Sequence, residues 1–276
     1  MLNQIIWNPD LSLFEIGNFA VRWYSLLFAA GFVFSYMILK RYFKQENVPV
    51  EKLEKLTVYV VVATIIGARL GHCLFYDWAY YQNNLLEIFL PFRFEPEFEF
   101  TGFQGLASHG GAIGILAAIF LYAKKQQMKV FWVLDKLALV IPLAGVFIRL
   151  GNLMNSEIIG KPAEVPWAFV FEQIDMVPRH PGQLYEAMAY LLIFVVLNLM
   201  YRGIKRQNGF VFGVFLILLF TARFILEYFK EIQSAFEADM VINMGQILSI
   251  PFVLLGIYLM VIKRGKKEPE TQTEIK

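Results

Sequence analysis

Long runs of apolar residues, interrupted by short polar links, run through the whole chain. A helix needs roughly 17–25 predominantly apolar residues to cross a bilayer. Seven runs meet that need, near 20–39, 57–76, 107–123, 132–149, 183–201, 209–228 and 245–262. Because lipid tolerates only segments that satisfy their own backbone hydrogen bonds, the pattern predicts an all-α polytopic membrane protein with about seven transmembrane helices. The longer links, 77–106, 150–182 and 229–244, hold most of the acidic and aromatic loop residues and predict a small extracytoplasmic head. Within them, Phe92–Phe100 alternates aromatic and charged residues and fits a short strand or an interfacial segment. Trp167–Phe171 reads as another short strand. No internal repeat of the kind found in transporters is visible.

Composition supports this reading and charge orients it. The chain is 58% hydrophobic and only 17% charged, whereas soluble domains are about a quarter charged. All but eight of the 25 Lys and Arg lie in the links at 40–56, 124–131, 202–208 and 263–276, or at Lys136. The positive-inside rule makes that side cytoplasmic. An odd number of spans then puts the N-terminus outside and the C-terminus inside. Residues 1–265 read as a single membrane-embedded domain and 266–276 as a disordered cytoplasmic tail. Met1–Asn18 lacks a basic start and a small-residue cleavage site, so no signal peptide is expected. Cys73 is the single cysteine, which excludes an internal disulfide, and no Cys/His spacing suits a metal.

The eight exceptions are Arg22, Arg69, Arg93, Arg149, Lys161, Arg179, Arg223 and Lys230. Six are arginine, whose planar fork suits bidentate contacts to phosphate or carboxylate. Arg69, Arg149 and Arg223 fall in the outer third of their spans, where an ionisable residue is a functional hypothesis by default. Snorkelling to the interface is the plainer alternative. Three at one depth favour function.

Other polar residues gather at the same depth. Ser108-His109-Gly110-Gly111 opens the third span, where free N–H groups favour an anion and a neutral imidazole. His109 is then either a proton acceptor or a histidine satisfying the helix start. Arg149, Asn152 and Glu157 project to a similar region if the fourth helix continues beyond its span. A capped helix end would explain Gly151 and Asn152 alone. Gln183 and Glu186, after His180-Pro181, fit either a site or a helix cap. Arg223 and Glu227 stand four apart on one face and are expected to pair. Tyr24 offers a hydrogen bond or serves as an interface anchor.

The ordered set resembles the bacterial prolipoprotein diacylglyceryl transferase family. Its carriers are Gly67-Ala68-Arg69-Leu70, His109-Gly110-Gly111, and Arg149-x-Gly151-Asn152-x-x-Asn155-x-Glu157-x-x-Gly160. His180-Pro181-x-Gln183-Leu184-Tyr185-Glu186, Arg223-Phe224-x-x-Glu227 and Trp23-Tyr24 complete it, from about residue 13 to about 262. The departures are Phe147, near which a glycine is usual; Leu153, which replaces an aromatic; Leu219, where a tyrosine is expected; and Lys230, which replaces an arginine.

The resemblance implies transfer of the diacylglyceryl group of phosphatidylglycerol to the lipobox cysteine of a preprolipoprotein. The expected setting is the bacterial inner membrane, with the site toward the outer leaflet. It implies phosphate binding by Arg149 and Arg223, and proton uptake by His109, directly or through a water. Tyr24, Asn152 and Glu157 would contact or orient the head group or an arginine, and Glu157 or Glu227 would hold an arginine in place before lipid arrives. Arg69, Gly110, Gly111, Asn155, Gly160, His180, Gln183, Tyr185 and Glu186 are also expected to contribute to substrate binding. The substrate supplies the thiol, so Cys73 is expected to be a packing residue. No metal, soluble cofactor or nucleic acid is implied. A transporter and a lipid-binding protein without chemistry are the rival classes.

Overall fold

The computed structural model describes residues 4–16, 19–94, 98–100, 105, 107–203, 207–231 and 240–265. The expected tail at 266–276 lies outside these residues. The long helices are α1 (Trp23–Gln45), α2 (Val50–Phe75), α5 (Ser108–Lys125), α8 (Gly182–Gly203), α9 (Phe210–Leu226) and α10 (Met244–Ile262). Shorter helices are α3 (Trp78–Tyr81), α4 (Leu86–Phe89), α6 (Val130–Ala138) and α7 (Ile141–Met154). Five of them, α1, α2, α8, α9 and α10, are long and apolar enough to cross a membrane. A sixth span results if α6 and α7, bent by 44° at their break, are taken as one. The break is explained by Pro142, which occupies the first turn of α7 and removes a backbone donor there. The run expected near 107–123 is helical as α5, but His109 at one end and Lys124 and Lys125 at the other leave it less apolar.

Among the described residues, seven short strands accompany the helices. They are β1 (Ile5–Trp7), β2 (Ser12–Ile16), β3 (Phe19–Arg22), β4 (Phe92–Arg93), β5 (Glu99–Phe100), β6 (Phe169–Phe171) and β7 (Pro178–Arg179). The alternating Phe92–Phe100 segment is a small hairpin, with Phe92 opposite Phe100 and Arg93 opposite Glu99. Residues 95–97, within that segment, lie outside the described residues. The strand expected at Trp167–Phe171 is β6. It pairs parallel with β1 and antiparallel with β7.

The chain divides into two compact units, 1–39 with 134–276, and 40–133. In the first, the β1–β6–β7 sheet grips the end of α7. Trp7 donates its indole N–H to the Leu153 carbonyl at 2.9 Å, which also accepts the Ser156 N–H at 3.1 Å, so the helix end is tied to the sheet. Leu153, Phe169 and Phe171 form a buried cluster beneath it. At the other end of the unit, buried Asp135 on α6 accepts from the backbone N–H groups of Gly209 and Phe212, both at 2.7 Å, and so caps α9. Phe147 stacks on Phe34 of α1, and its Cβ approaches Gly31, whose missing side chain makes room for it.

In the second unit, α2 and α5 meet through glycines. A Cβ on Gly110 would fall 2.2 Å from the Gly67 carbonyl oxygen, and one on Gly114 would fall 2.5 Å from that of Ala63. Gly67/Gly71 and Gly110/Gly114 each have the four-residue spacing that lets membrane helices bring their backbones together. Cys73 is fully buried with Tyr81 and Ile88, in keeping with a packing role.

Candidate active site

In the first unit, the expected residues of α7 and the turn after it form one hydrogen-bonded group. Asn152 and Gly151 still belong to the helix, and the chain turns out of it through Ser156 and Ile158, both with positive φ. That turn folds Glu157 back over the helix end. Arg149 Nη1 donates to Asn152 Oδ1 at 3.1 Å, and Asn152 Nδ2 donates to Glu157 Oε2 at 3.0 Å. Asn155 Nδ2 donates to Glu157 Oε1 at 2.9 Å. Asn152 is buried, so a simple capped end does not account for it. Tyr24 joins the group from α1. Its ring occupies the space a side chain at Gly151 would need, and its hydroxyl lies within electrostatic reach of Glu157 and Arg149.

Helix α8 supplies the second layer. Gln183, fully buried, donates to the Glu157 backbone carbonyl at 2.6 Å, and its own Oε1 finds no hydrogen-bond partner among the described residues. Glu186 is 1% exposed and meets Arg149 Nε at 2.8 Å. Neither residue is a helix cap. A buried carboxylate is tolerated only when paired, and Glu186 has a second cation, Lys230, at 3.7 Å. Tyr190 donates to Glu186 at 3.3 Å and lies within electrostatic reach of Arg149 and Arg223.

From α9 and the 3-10 turn after it (Glu227–Phe229) come Arg223, Glu227 and Lys230. The expected Arg223–Glu227 pair is absent among the described residues. Glu227 instead meets Lys230 Nζ at 3.2 Å. The Arg223 side chain, half-buried, donates no hydrogen bond and makes no ion pair among those residues. Lys230 was legible as an exception to the positive-inside rule and as a replacement for an arginine, and neither gave it a partner. It is buried because its backbone bridges to Gly160. Gly160 itself admits no side chain, since a Cβ would fall 2.3 Å from the His180 carbonyl oxygen. His180 shares a 3.0 Å hydrogen bond with the Tyr185 hydroxyl, which also accepts from Trp167 at 2.7 Å. Burial pushes the His180 imidazole below its ordinary pKa. Beside it, Arg179 donates to Asp175 and Glu231, each at 2.6 Å, and holds the Asp175 carboxyl below the usual range.

The second unit carries Arg69, His109, Gly110 and Gly111. Arg69 is buried, and donates to the backbone carbonyls of Glu87 at 2.6 Å and Ile88 at 3.2 Å, with Tyr81 4.9 Å from its guanidinium carbon. Glu87 in turn accepts from Tyr80 and from the Phe94 N–H, and the Tyr80 hydroxyl is held protonated above its ordinary pKa by that bond. These contacts anchor α4 to α2. His109 is exposed in the first turn of α5. Gly110 is taken up by the helix contact, whereas a Cβ on Gly111 would meet nothing closer than 3.6 Å.

Several apolar helices of spanning length, with a charged group on the ends of α7, α8 and α9, define a multi-pass membrane protein with a polar site at helix termini. The model of one family, prolipoprotein diacylglyceryl transferase, matches residues 11–262. The phosphatidylglycerol–prolipoprotein diacylglyceryl transferase of Bacteroides fragilis is 47% identical over 97% of this chain and 98% of its own. That of Tolumonas auensis is 47% identical over 96% of this chain and 99% of its own. The enzyme of that name from Chloroherpeton thalassium is 40% identical over 93% of both chains. The chain belongs to the prolipoprotein diacylglyceryl transferase family and is a transferase.

Proposed function

We propose that the protein transfers the diacylglyceryl group of phosphatidylglycerol to the lipobox cysteine of a preprolipoprotein, releasing glycerol 1-phosphate. Its family membership and the names of its relatives support the substrates. The observation that carries the site is the contrast between two arginines of one cluster: Arg149 is held by Glu186 and Asn152, while Arg223 has no such partner among the described residues.

Sulfur displaces a phosphate ester at a glycerol carbon. The S–C bond forms, the C–O bond breaks, and its electron pair leaves on the phosphate oxygen. Arg149 and Arg223 bind that phosphate and stabilise the charge that develops on it. Tyr24, Asn152, Asn155, Glu157 and Gln183 orient the head group or the arginines. His109 takes the thiol proton, directly or through a water, a role that rests on its exposed imidazole. Gly160, His180 and Tyr185 shape the site, and Arg69 holds α4 against α2.

Residues 1–265 work as one transferase domain, a reading supported by one family model running across both units. The chain crosses the bacterial inner membrane seven times, α5 included, with its N-terminus outside and the outer links forming a head. The basic links support that orientation. The site then faces the outer leaflet, and the lipid enters sideways.

The test is incubation of the purified protein with phosphatidylglycerol and a lipobox peptide. Thioether-linked diacylglyceryl peptide and free glycerol phosphate are expected in equal amounts. Binding of both substrates with neither product would overturn the enzymatic reading.

A further inference from the structure

We propose that Lys230 is a positioning residue that keeps Arg223 available to the lipid phosphate by holding Glu227 away from it. This rests on the phosphate role proposed for Arg223. Arg223 and Glu227 have the i,i+4 spacing at which acid and base on one helix ordinarily pair. The Glu227 carboxylate points elsewhere, to Lys230 Nζ at 3.2 Å, with Glu186 on the far side of the same ammonium at 3.7 Å.

Three features keep Lys230 in that place. Its backbone bridges to Gly160, with the Lys161 N–H donating to the Phe229 carbonyl at 2.9 Å and the Glu231 N–H donating to the Ile159 carbonyl at 3.1 Å. Arg179 ties the same two segments together, donating to both Glu231 and the Gly160 carbonyl. Lysine, a compact point charge with rotatable donors, reaches two carboxylates from two elements without needing a planar fork.

Glu227 is also seated by α10. A Cβ on Gly245 would fall 2.7 Å from the Glu227 carboxyl carbon and 2.9 Å from each of its oxygens. Gly245 lies in the first turn of α10, where unpaired N–H groups favour a carboxylate. That turn is fixed by the Asn243–Gln246 capping box, and Gln246 donates to the Phe224 carbonyl of α9 at 3.2 Å. If the ammonium is removed, the carboxylate needs another cation, because an unpaired charge in a half-buried site is costly. The arginine one turn back on its own helix is the local choice.

The experiment compares full-length wild type, Lys230→Arg, Lys230→Met, Gly245→Ala and the double variant Lys230→Met/Glu227→Gln. Two quantities are read: binding of head-group-labelled phosphatidylglycerol in zwitterionic micelles, and kcat with KM for peptide modification. Lys230→Met is expected to weaken lipid binding and raise KM about tenfold, the scale of one charge-assisted hydrogen bond, with a smaller change in kcat. Lys230→Arg stays near wild type. Gly245→Ala, which pushes the carboxylate from its seat, weakens binding in the same direction. The double variant recovers most of the loss, because no carboxylate remains to close on Arg223. A Lys230→Met protein that binds lipid like wild type, or a double variant no better than Lys230→Met, overturns the proposal. If wild type binds the lipid but transfers nothing, the proposed activity fails, and the binding series alone decides the role of Lys230.

Discussion

Arg69 in α2 and Arg149 in α7 stand near the C-terminal ends of their helices, but their guanidinium groups keep different company. Arg69 donates to two backbone carbonyls and lies against Tyr81. Those two acceptors are fixed main chain, so the bonds to them hold α4 to α2. Arg149 donates to the side chain of Asn152 and pairs with Glu186, itself shared with Lys230. Its partners are side chains whose charges balance one another, an arrangement that costs desolvation and gives shape to a site. Position near a helix end does not separate the two cases. The kind of acceptor does.

Removing Arg149 should break this contrast most clearly. Arg149→Ala is expected to lower transfer at least about a hundredfold, with the fold intact by circular dichroism, and Arg149→Lys should recover only part of it. The readout is glycerol phosphate release. Gly110→Leu should instead act through stability. Its side chain would run into the Gly67–Gly71 backbone, costing about 1–3 kcal/mol or more, seen as a lower melting temperature in detergent. Gly111→Ala, whose methyl would make only ordinary van der Waals contacts with Ala68 and Thr64, should melt within a degree or two of wild type.

Arg69→Met should strand the Glu87 and Ile88 carbonyls and destabilise the protein by about 1–3 kcal/mol. Activity per folded molecule should stay near wild type. A loss like that of Arg149→Ala would place Arg69 in the chemistry.

The smallest effect is expected from pH. Burial lowers the His180 pKa, so below the ordinary histidine value the unfolded chain takes up a proton that the folded chain resists. Stability should therefore fall as pH drops from about 6.5 toward the folded value, then level off. His180→Gln should flatten that part of the melting profile. Asp175 behaves in the usual carboxylate way. Its Arg179 partner stabilises the fold above the unfolded carboxylate pKa, and that contribution disappears as pH falls through the lowered value.

Much of the α7 site was legible because it is local. Arg149 and Asn152 lie within one turn of one another, so helical spacing brings them to one end, and Glu157 follows a few residues later in a turn that folds it back onto them. Trp167–Phe171 was legible as a strand for a similar reason, its alternation being set by the backbone. The pairing of Arg223 with Glu227 followed the same local rule and did not hold, because Lys230 competes for the carboxylate and is placed by a bridge to Gly160. Sequence spacing carries no record of that bridge. Strand β1 and its Trp7 were missed as well. Their pairing with β6 spans more than 160 residues, and three residues hold too little pattern to predict it. Gly67 and Gly110 looked like parts of motifs, and became a helix contact only once α2 and α5 were side by side.

The sequence by itself determined the solvent, the helices and the residue types available for chemistry. Apolar length and backbone hydrogen bonding leave few other solutions in lipid, and Arg149 to Gly160 is almost a site in one dimension. Tertiary structure alone decided which charges meet. Glu186 goes to Arg149, Glu227 goes to Lys230, and Arg223 is left without either. The reason is physical: a buried charge chooses its partner by distance and desolvation, and both are set by how helices and strands far apart in the chain come together.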